Sequence, residues 1–226
     1  MEYIFINIMN RKYKGVIFDL DGTLVDTLGD ISAAMNKALK LNGFPELKTE
    51  EFKDKVGWGI KRLAFLSIPE EARQEKTAIT VAEDAARLYA EEPLVYSRIY
   101  PGMAELVSLL RQKKIKTAVL TNKPDIVAQK VINGLFPLFS FNIIQGEIQG
   151  KPRKPDPACV WELLVDLDLT PSNVIFAGDS EIDMETAVSS GCFPMGVIWG
   201  YRSLEVIKSA GARGIIEKPE ELLDFF

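Results

Sequence analysis

The apolar run Gly15-Val16-Ile17-Phe18 leads directly into Asp19-Leu20-Asp21-Gly22-Thr23. A short apolar run bounded by turn residues predicts a buried strand. Side chains alternate faces along a strand, so Asp19 and Asp21 point the same way at its carboxyl end. Active sites of α/β folds lie at that end of the sheet. One carboxylate can attack there while the other moves protons or helps to hold a cation. Gly22 permits a sharp turn, and Thr23 offers a hydroxyl. A turn whose aspartates merely cap a helix is the alternative, but two caps are not needed two residues apart.

Hydrophobic periodicity then changes along the chain. Leu28, Ile31, Met35, Ala38 and Leu39 recur at spacings of three and four, which predicts an amphipathic helix that stops near Gly43. Residues 50–66 predict short helices broken by Gly57-Trp58-Gly59, and a longer helix runs from Pro69 to near Pro93. No strand is expected between about 28 and 95. From Tyr100-Pro101-Gly102 onward, helices alternate with strands at 116–121, 141–145, 173–178, 194–199 and 214–216. That alternation predicts a parallel sheet with right-handed crossovers. The expected fold is α/β, a Rossmann-like parallel-sheet core with an inserted all-helical cap domain. The expected division is core at 12–27 and 96–226, cap at 28–95, and an N-terminal extension at 1–11.

Composition excludes several chemistries. The 226 residues leave room for a core plus a smaller module. The chain has no histidine, so a Ser-His-Asp triad, a phosphohistidine or a histidine-ligated zinc site cannot be built. Acid–base work falls to Asp, Glu, Lys, Tyr or Cys. A formal charge of −5 argues against nucleic acid as the main partner. Cys159 and Cys192 are not in a metal-like spacing and are expected to be reduced, partly buried thiols of a cytoplasmic protein. No segment is long enough to span a membrane. The apolar start Tyr3–Met9 is short and lacks the features of a signal peptide; residues 1–8 are expected to be dispensable.

Three further segments carry chemistry at predicted strand ends. Ala118-Val119-Leu120 leads into Thr121-Asn122-Lys123-Pro124, where a hydroxyl and free helix amides suit a phosphate; an ordinary N-cap by Thr121 or Asn122 is the other reading. Lys151-Pro152-Arg153-Lys154-Pro155-Asp156-Pro157 is a basic loop whose prolines restrict where the lysines point. It offers a fixed cation, or it is a solvated turn in which Asp156 caps the next helix. Val174-Ile175-Phe176-Ala177-Gly178 leads into Asp179 and, four residues on, Asp183. Paired acids there suit Mg²⁺, which prefers oxygen ligands, or answer the helix dipole.

Asp-x-Asp, then Thr, then Lys, then an Asp pair, each at a strand tip, resembles the four motifs of the haloacid dehalogenase superfamily of phosphohydrolases. The resemblance covers the chain from about residue 12, and the insert after the first motif resembles the class with a small helical cap. It implies that Asp19 is the nucleophile and Asp21 the general acid and base. It implies that Thr121 binds the phosphoryl group with help from Asn122, and that Gly22 and Thr23 are substrate-binding as well. Lys154, in a Lys-Pro-Asp-Pro setting that favours it over Lys151, would steady the negative charge. Mg²⁺ would be held by Asp19, Asp179 and the backbone carbonyl of Asp21, with Asp183 in support.

Asp21 separates subtypes, because dehalogenases of the superfamily lack the second acid. Tyr100-Pro101-Gly102, Thr121-Asn122-Lys123-Pro124, Val197-Ile198-Trp199-Gly200-Tyr201 and Val56-Gly57-Trp58-Gly59 resemble the phosphoglycolate phosphatase branch. Its implied partner is a small phosphorylated metabolite, with 2-phosphoglycolate first and a sugar phosphate, nucleotide or pyrophosphate as alternatives. A phosphomutase or a non-catalytic phospholigand sensor are the competing classes. A monomer or homodimer is expected. In the cap, Trp58 could form a substrate wall and Lys61 or Arg62 could meet a substrate carboxylate; equally, Trp58 could pack in the cap and both cations be solvated.

Overall fold

The computed structural model describes residues 13–136 and 140–226. The expected N-terminal extension lies outside the described residues. Six parallel strands form the main sheet: β1 (Gly15–Phe18), β4 (Lys116–Pro124), β5 (Ile143–Glu147), β6 (Val174–Gly178), β7 (Phe193–Val197) and β8 (Gly214–Ile216), in the order β5-β4-β1-β6-β7-β8. Every residue of β1 is buried. Val16 and Phe18 join one apolar cluster while Ile17 joins the other, so alternate side chains fill opposite faces. A fully covered central strand explains why its sequence is a continuous apolar run rather than an alternating one.

Helices cover both faces: α4 (Met103–Gln112) leads into β4, and α5 (Asp125–Leu135), α6 (Ala158–Leu167), α7 (Glu181–Ser190) and α8 (Leu204–Ser209) follow β4, β5, β6 and β7 in turn. Asp156 does accept a hydrogen bond from the Ala158 amide at the start of α6, at 2.9 Å. Cys159 and Cys192 are free and buried.

Between β1 and β4 lies the helical stretch: α1 (Leu28–Leu41), α2 (Ile60–Ser67) and α3 (Glu75–Glu91), with 3₁₀ turns at Thr49–Phe52 and Glu70–Ala72. The helix expected from Pro69 is thus two elements, a short 3₁₀ turn and then α3. α3 packs on both α1 and α2. Two short strands not foreseen in the sequence, β2 (Val25–Asp26) and β3 (Arg98–Ile99), pair antiparallel where the chain leaves and re-enters the core. The buried Asp30, in the first turn of α1, accepts hydrogen bonds from the amides of Val95, Tyr96 and Ser97. The two crossings are therefore tied together at one point, which sets the helical stretch over the carboxyl ends of β1 and β4. Among the described residues no helix is long and apolar enough to cross a membrane.

Candidate active site

The site forms where β1, β4 and β6 end side by side, because β1 pairs with both neighbours in parallel register. Asp19 follows β1 directly and is buried, its amide held at 2.9 Å by the Ala177 carbonyl of β6. The carboxylates of Asp19, Asp179 and Asp183 each offer an oxygen within 4.8 Å of the others. Lys154 reaches in from the loop before α6, with Nζ 2.7 Å from Asp19 Oδ1 and 2.7 Å from Asp183 Oδ1. The first contact is an ion pair by distance only, for Asp19 Oδ1 is buried without an aligned hydrogen-bond donor. Lys151 is exposed and outside this cluster.

The other two acids are firmly held. Asp183 Oδ2 accepts from the Ser180 amide at 3.0 Å and from Ser180 Oγ at 2.6 Å, closing a capping box at the start of α7. Asp179 accepts from Thr23 Oγ1 at 3.0 Å and from the Tyr201 amide at 2.8 Å. Gly22 (φ +86°) and Gly200 crowd that carboxylate so closely that a Cβ at either would collide with it. Only glycine lets both backbones approach.

Three buried carboxylates face one ammonium, which leaves a formal charge of −2. Burial, then the charge of Asp183, pushes the Asp19 and Asp179 carboxyls well above the ordinary aspartate range. Burial alone would lower Lys154, but the charges of Asp183 and Asp19 more than offset it and hold the ammonium up. The donor set is all hard oxygen, and Asp19 Oδ1 lacks a hydrogen-bond donor. Such a set fits a divalent cation of the magnesium or manganese kind.

Asp21 stands in a different setting. Its Oδ1 accepts from Thr27 Oγ1 at 2.6 Å and from Lys123 Nζ at 2.6 Å. Lys123 was part of the Thr121–Pro124 segment in the sequence but carried no role there. β4 runs on to Pro124, beyond the expected stop at 121, with its pairing to β5 irregular between Leu120 and Pro124, and Thr121, Asn122 and Lys123 all reach the same pocket. The Lys123 ammonium also lies 4.4 Å from the centre of the Tyr89 ring on α3. Thr121 is buried, and its hydroxyl accepts from the Lys123 amide at 3.2 Å. Asn122 gives its side-chain amide to the carbonyls of Gly57 and Lys154, both at 3.0 Å.

A pocket opens between these groups and the helical stretch. Asp19, Asp21, Thr121, Asn122 and Lys123 line its floor, and Ile31, Ala34, Met35, Val56, Ile60, Leu63, Ala85 and Tyr89 line its walls. Ile60 and Leu63 are one turn apart on α2 and face inward. Lys61 and Arg62 lie off that face, exposed and outside the pocket, with Arg62 over the Phe65 ring. Trp58 does not line the pocket either; its Nε1 donates to Glu181 Oε1 at 3.2 Å. Arg202 reaches from the loop after β7 to Glu181 and to the carbonyls of Lys53 and Val56. The 53–59 loop is thereby fastened to the core by main-chain contacts.

Residues 16–197 match the family described as haloacid dehalogenase-like hydrolase. The chain belongs to this family. It is 33% identical to a phosphoglycolate phosphatase of Rhodospirillum rubrum, over 94% of this chain and 90% of that one. It is 30% identical to one of Aquifex aeolicus, over 84% and 86%. Among solved structures, a phosphoglycolate phosphatase candidate from Lactobacillus delbrueckii subsp. bulgaricus superposes with a TM-score of 0.86 at 32% identity, covering 93% of this chain and 97% of that one. The chain is accordingly an enzyme of the hydrolase class, with phosphatases as its relatives.

Proposed function

We propose that this phosphatase hydrolyses a small phosphomonoester, 2-phosphoglycolate foremost, through a phosphorylated Asp19 in a Mg²⁺-dependent reaction. The observation that carries the reading is the buried Asp19 carboxylate, flanked by Lys154 and two further acids, beside an Asp21 that opens on the same pocket. The Asp19 oxygen attacks phosphorus, and the bond from phosphorus to the ester oxygen breaks. Asp21 gives its proton to that leaving oxygen, then takes one from the water that cleaves the aspartyl phosphate. The Thr121 hydroxyl accepts a bond from the Lys123 amide, which leaves its own proton for a phosphoryl oxygen. Gly22 and Thr23 keep Asp179 in place. Lys154 offsets charge on Asp19 and on the phosphate. Asp19, Asp179 and the Asp21 carbonyl, with Asp183 behind them, would hold Mg²⁺, which supplies positive charge to an anion attacking an anion.

In this reading residues 28–95 act as a cap domain over a core made of 12–27 and 96–226, and shut water out of the pocket. The relatives named phosphoglycolate phosphatase support the choice of substrate. Phosphate release from a panel of 2-phosphoglycolate, sugar phosphates, nucleotides and pyrophosphate tests it. The expected profile has 2-phosphoglycolate ahead by about 100-fold in kcat/KM, roughly 2.7 kcal/mol of transition-state discrimination. A flat profile would remove the substrate and keep the phosphatase.

A further inference from the structure

The pocket poses a charge problem. A substrate such as 2-phosphoglycolate brings a second anion besides its phosphate, and that carboxylate has to find a partner. The walls contributed by the helical stretch are aliphatic, with Tyr89 as the exception. Lys61 and Arg62 point elsewhere. Among the described residues that line the pocket, Lys123 is the only cation.

Resting on the substrate reading above, we infer that Lys123 is the subsite that recognises the carboxylate of the leaving group. In an α-oxy acid the carboxylate carbon is two bonds from the ester oxygen. A group that reads it can therefore be an immediate neighbour of the acid that protonates that oxygen. Lys123 Nζ is 2.6 Å from Asp21 Oδ1. An ammonium has three donors. One is used on Asp21, and the ring of Tyr89 lies against the ammonium at 4.4 Å. A donor is left for a ligand.

The wall beside the ammonium is the ring of Tyr89, whose hydroxyl is buried beside the side chains of Thr27 and Ser97. The aliphatic remainder of the wall offers no partner to the hydroxyls of a sugar. The same geometry thus favours a short acid and disfavours a polyol.

The experiment compares 2-phosphoglycolate with ethyl phosphate, which has a methyl group in place of the carboxylate, in wild type, Lys123→Met and Lys123→Gln. Loss of a charge-assisted bond predicts that the wild-type preference for 2-phosphoglycolate falls roughly 10- to 100-fold in Lys123→Met, mainly through KM. Lys123 also positions Asp21, so kcat falls on both substrates; the ratio between substrates isolates carboxylate recognition. In Lys123→Gln, whose amide can still donate to Asp21 but carries no charge, the preference falls by about three- to tenfold, and this variant decides the matter if Lys123→Met does not fold. A strong wild-type preference that survives both changes overturns the subsite and leaves the substrate reading intact. No preference in the wild type overturns both.

Discussion

Asp30 should be among the most sensitive positions in the chain, although it touches no substrate. It is 2% exposed, and Oδ1 accepts from the amides of Val95 at 3.2 Å and Tyr96 at 3.0 Å. Oδ2 accepts from the amide of Ser97 at 2.8 Å and from its hydroxyl at 2.5 Å. Asp30→Ala removes all four acceptor contacts. The buried Ser97 amide is stranded, whereas the Val95 and Tyr96 amides sit beside exposed side chains and can recover water. Each bond to a charged group contributes about 1.5–3 kcal/mol, so a loss near the Ser97 pair plus a fraction of the rest gives roughly 3–5 kcal/mol. For a chain of this length that is a fall in Tm of about 6–20 °C. Asp30→Asn should lose less: its oxygen still accepts from one side, and its NH₂ can meet the Ser97 hydroxyl but not the Ser97 amide. The assay is thermal unfolding by circular dichroism, with urea midpoints as a second measure. A Tm for Asp30→Ala within about 3 °C of wild type would refute the view that this carboxylate fastens the two crossings.

The remaining expectations concern the site. Asp19 and Asp179 titrate higher in the folded chain than in the unfolded one, so the folded state binds more protons and stability falls as pH rises. In EDTA the Tm should therefore drop from the ordinary aspartate range through neutrality, and the gain on adding Mg²⁺ should grow with pH; a metal-free Tm that rises over that window, relative to Asp19→Asn, contradicts this. Asp19→Asn should abolish turnover with a metal-free Tm at or above wild type; a fully active variant sinks the nucleophile. Gly200→Ala places a Cβ on the Asp179 carboxylate, and the Mg²⁺ concentration needed for half-maximal activity should rise by at least tenfold, about 1.4 kcal/mol. Arg202→Ala frees the carbonyls of Lys53 and Val56, and KM should rise roughly tenfold, the worth of one charge-assisted hydrogen bond; an unchanged KM means the Asn122–Gly57 and Trp58–Glu181 hydrogen bonds hold the loop without it.

The sheet was legible because its central strands β1, β4 and β6 have apolar cores and lead into polar residues, so position and polarity agree. Asp19, Thr121, Lys154, Asp179 and Asp183 come together because parallel strands bring their carboxyl ends to one edge, which chain order alone predicts. Lys123 was harder. With β4 ended at 121 it belongs to a loop; in the structure the strand continues irregularly to 124 and carries Lys123 into the pocket beside Thr121 and Asn122. β2 and β3 are two residues each, too short for any periodicity. Asp30 gave no local signal, since its partners lie more than sixty residues away. Lys61 and Arg62 show how composition misleads: Ile60 and Leu63 claim the inward face of α2, and the cations between them turn outward.

The two aspartates that follow β1 share a side-chain type and line one pocket, so their proposed division of labour has to come from their neighbours. Asp19 sits among two other acids, with one ammonium nearby and no aligned donor on Oδ1. Its lone pairs are under-used, as a nucleophile requires. Asp21 has Oδ1 saturated by Thr27 and Lys123, which fixes the carboxyl plane and leaves Oδ2 for a proton in transit. Thr27 is in turn fixed, its amide donating at 2.9 Å to the Tyr201 hydroxyl, while the Tyr201 amide holds Asp179 at 2.8 Å. One residue after β7 thus steadies both settings. Exchanging the roles would need a donor at Asp19 and a cation-binding cluster at Asp21, and the strand tips offer neither. Specificity is then left to whatever stands next to Asp21, and in this fold that neighbour is Lys123.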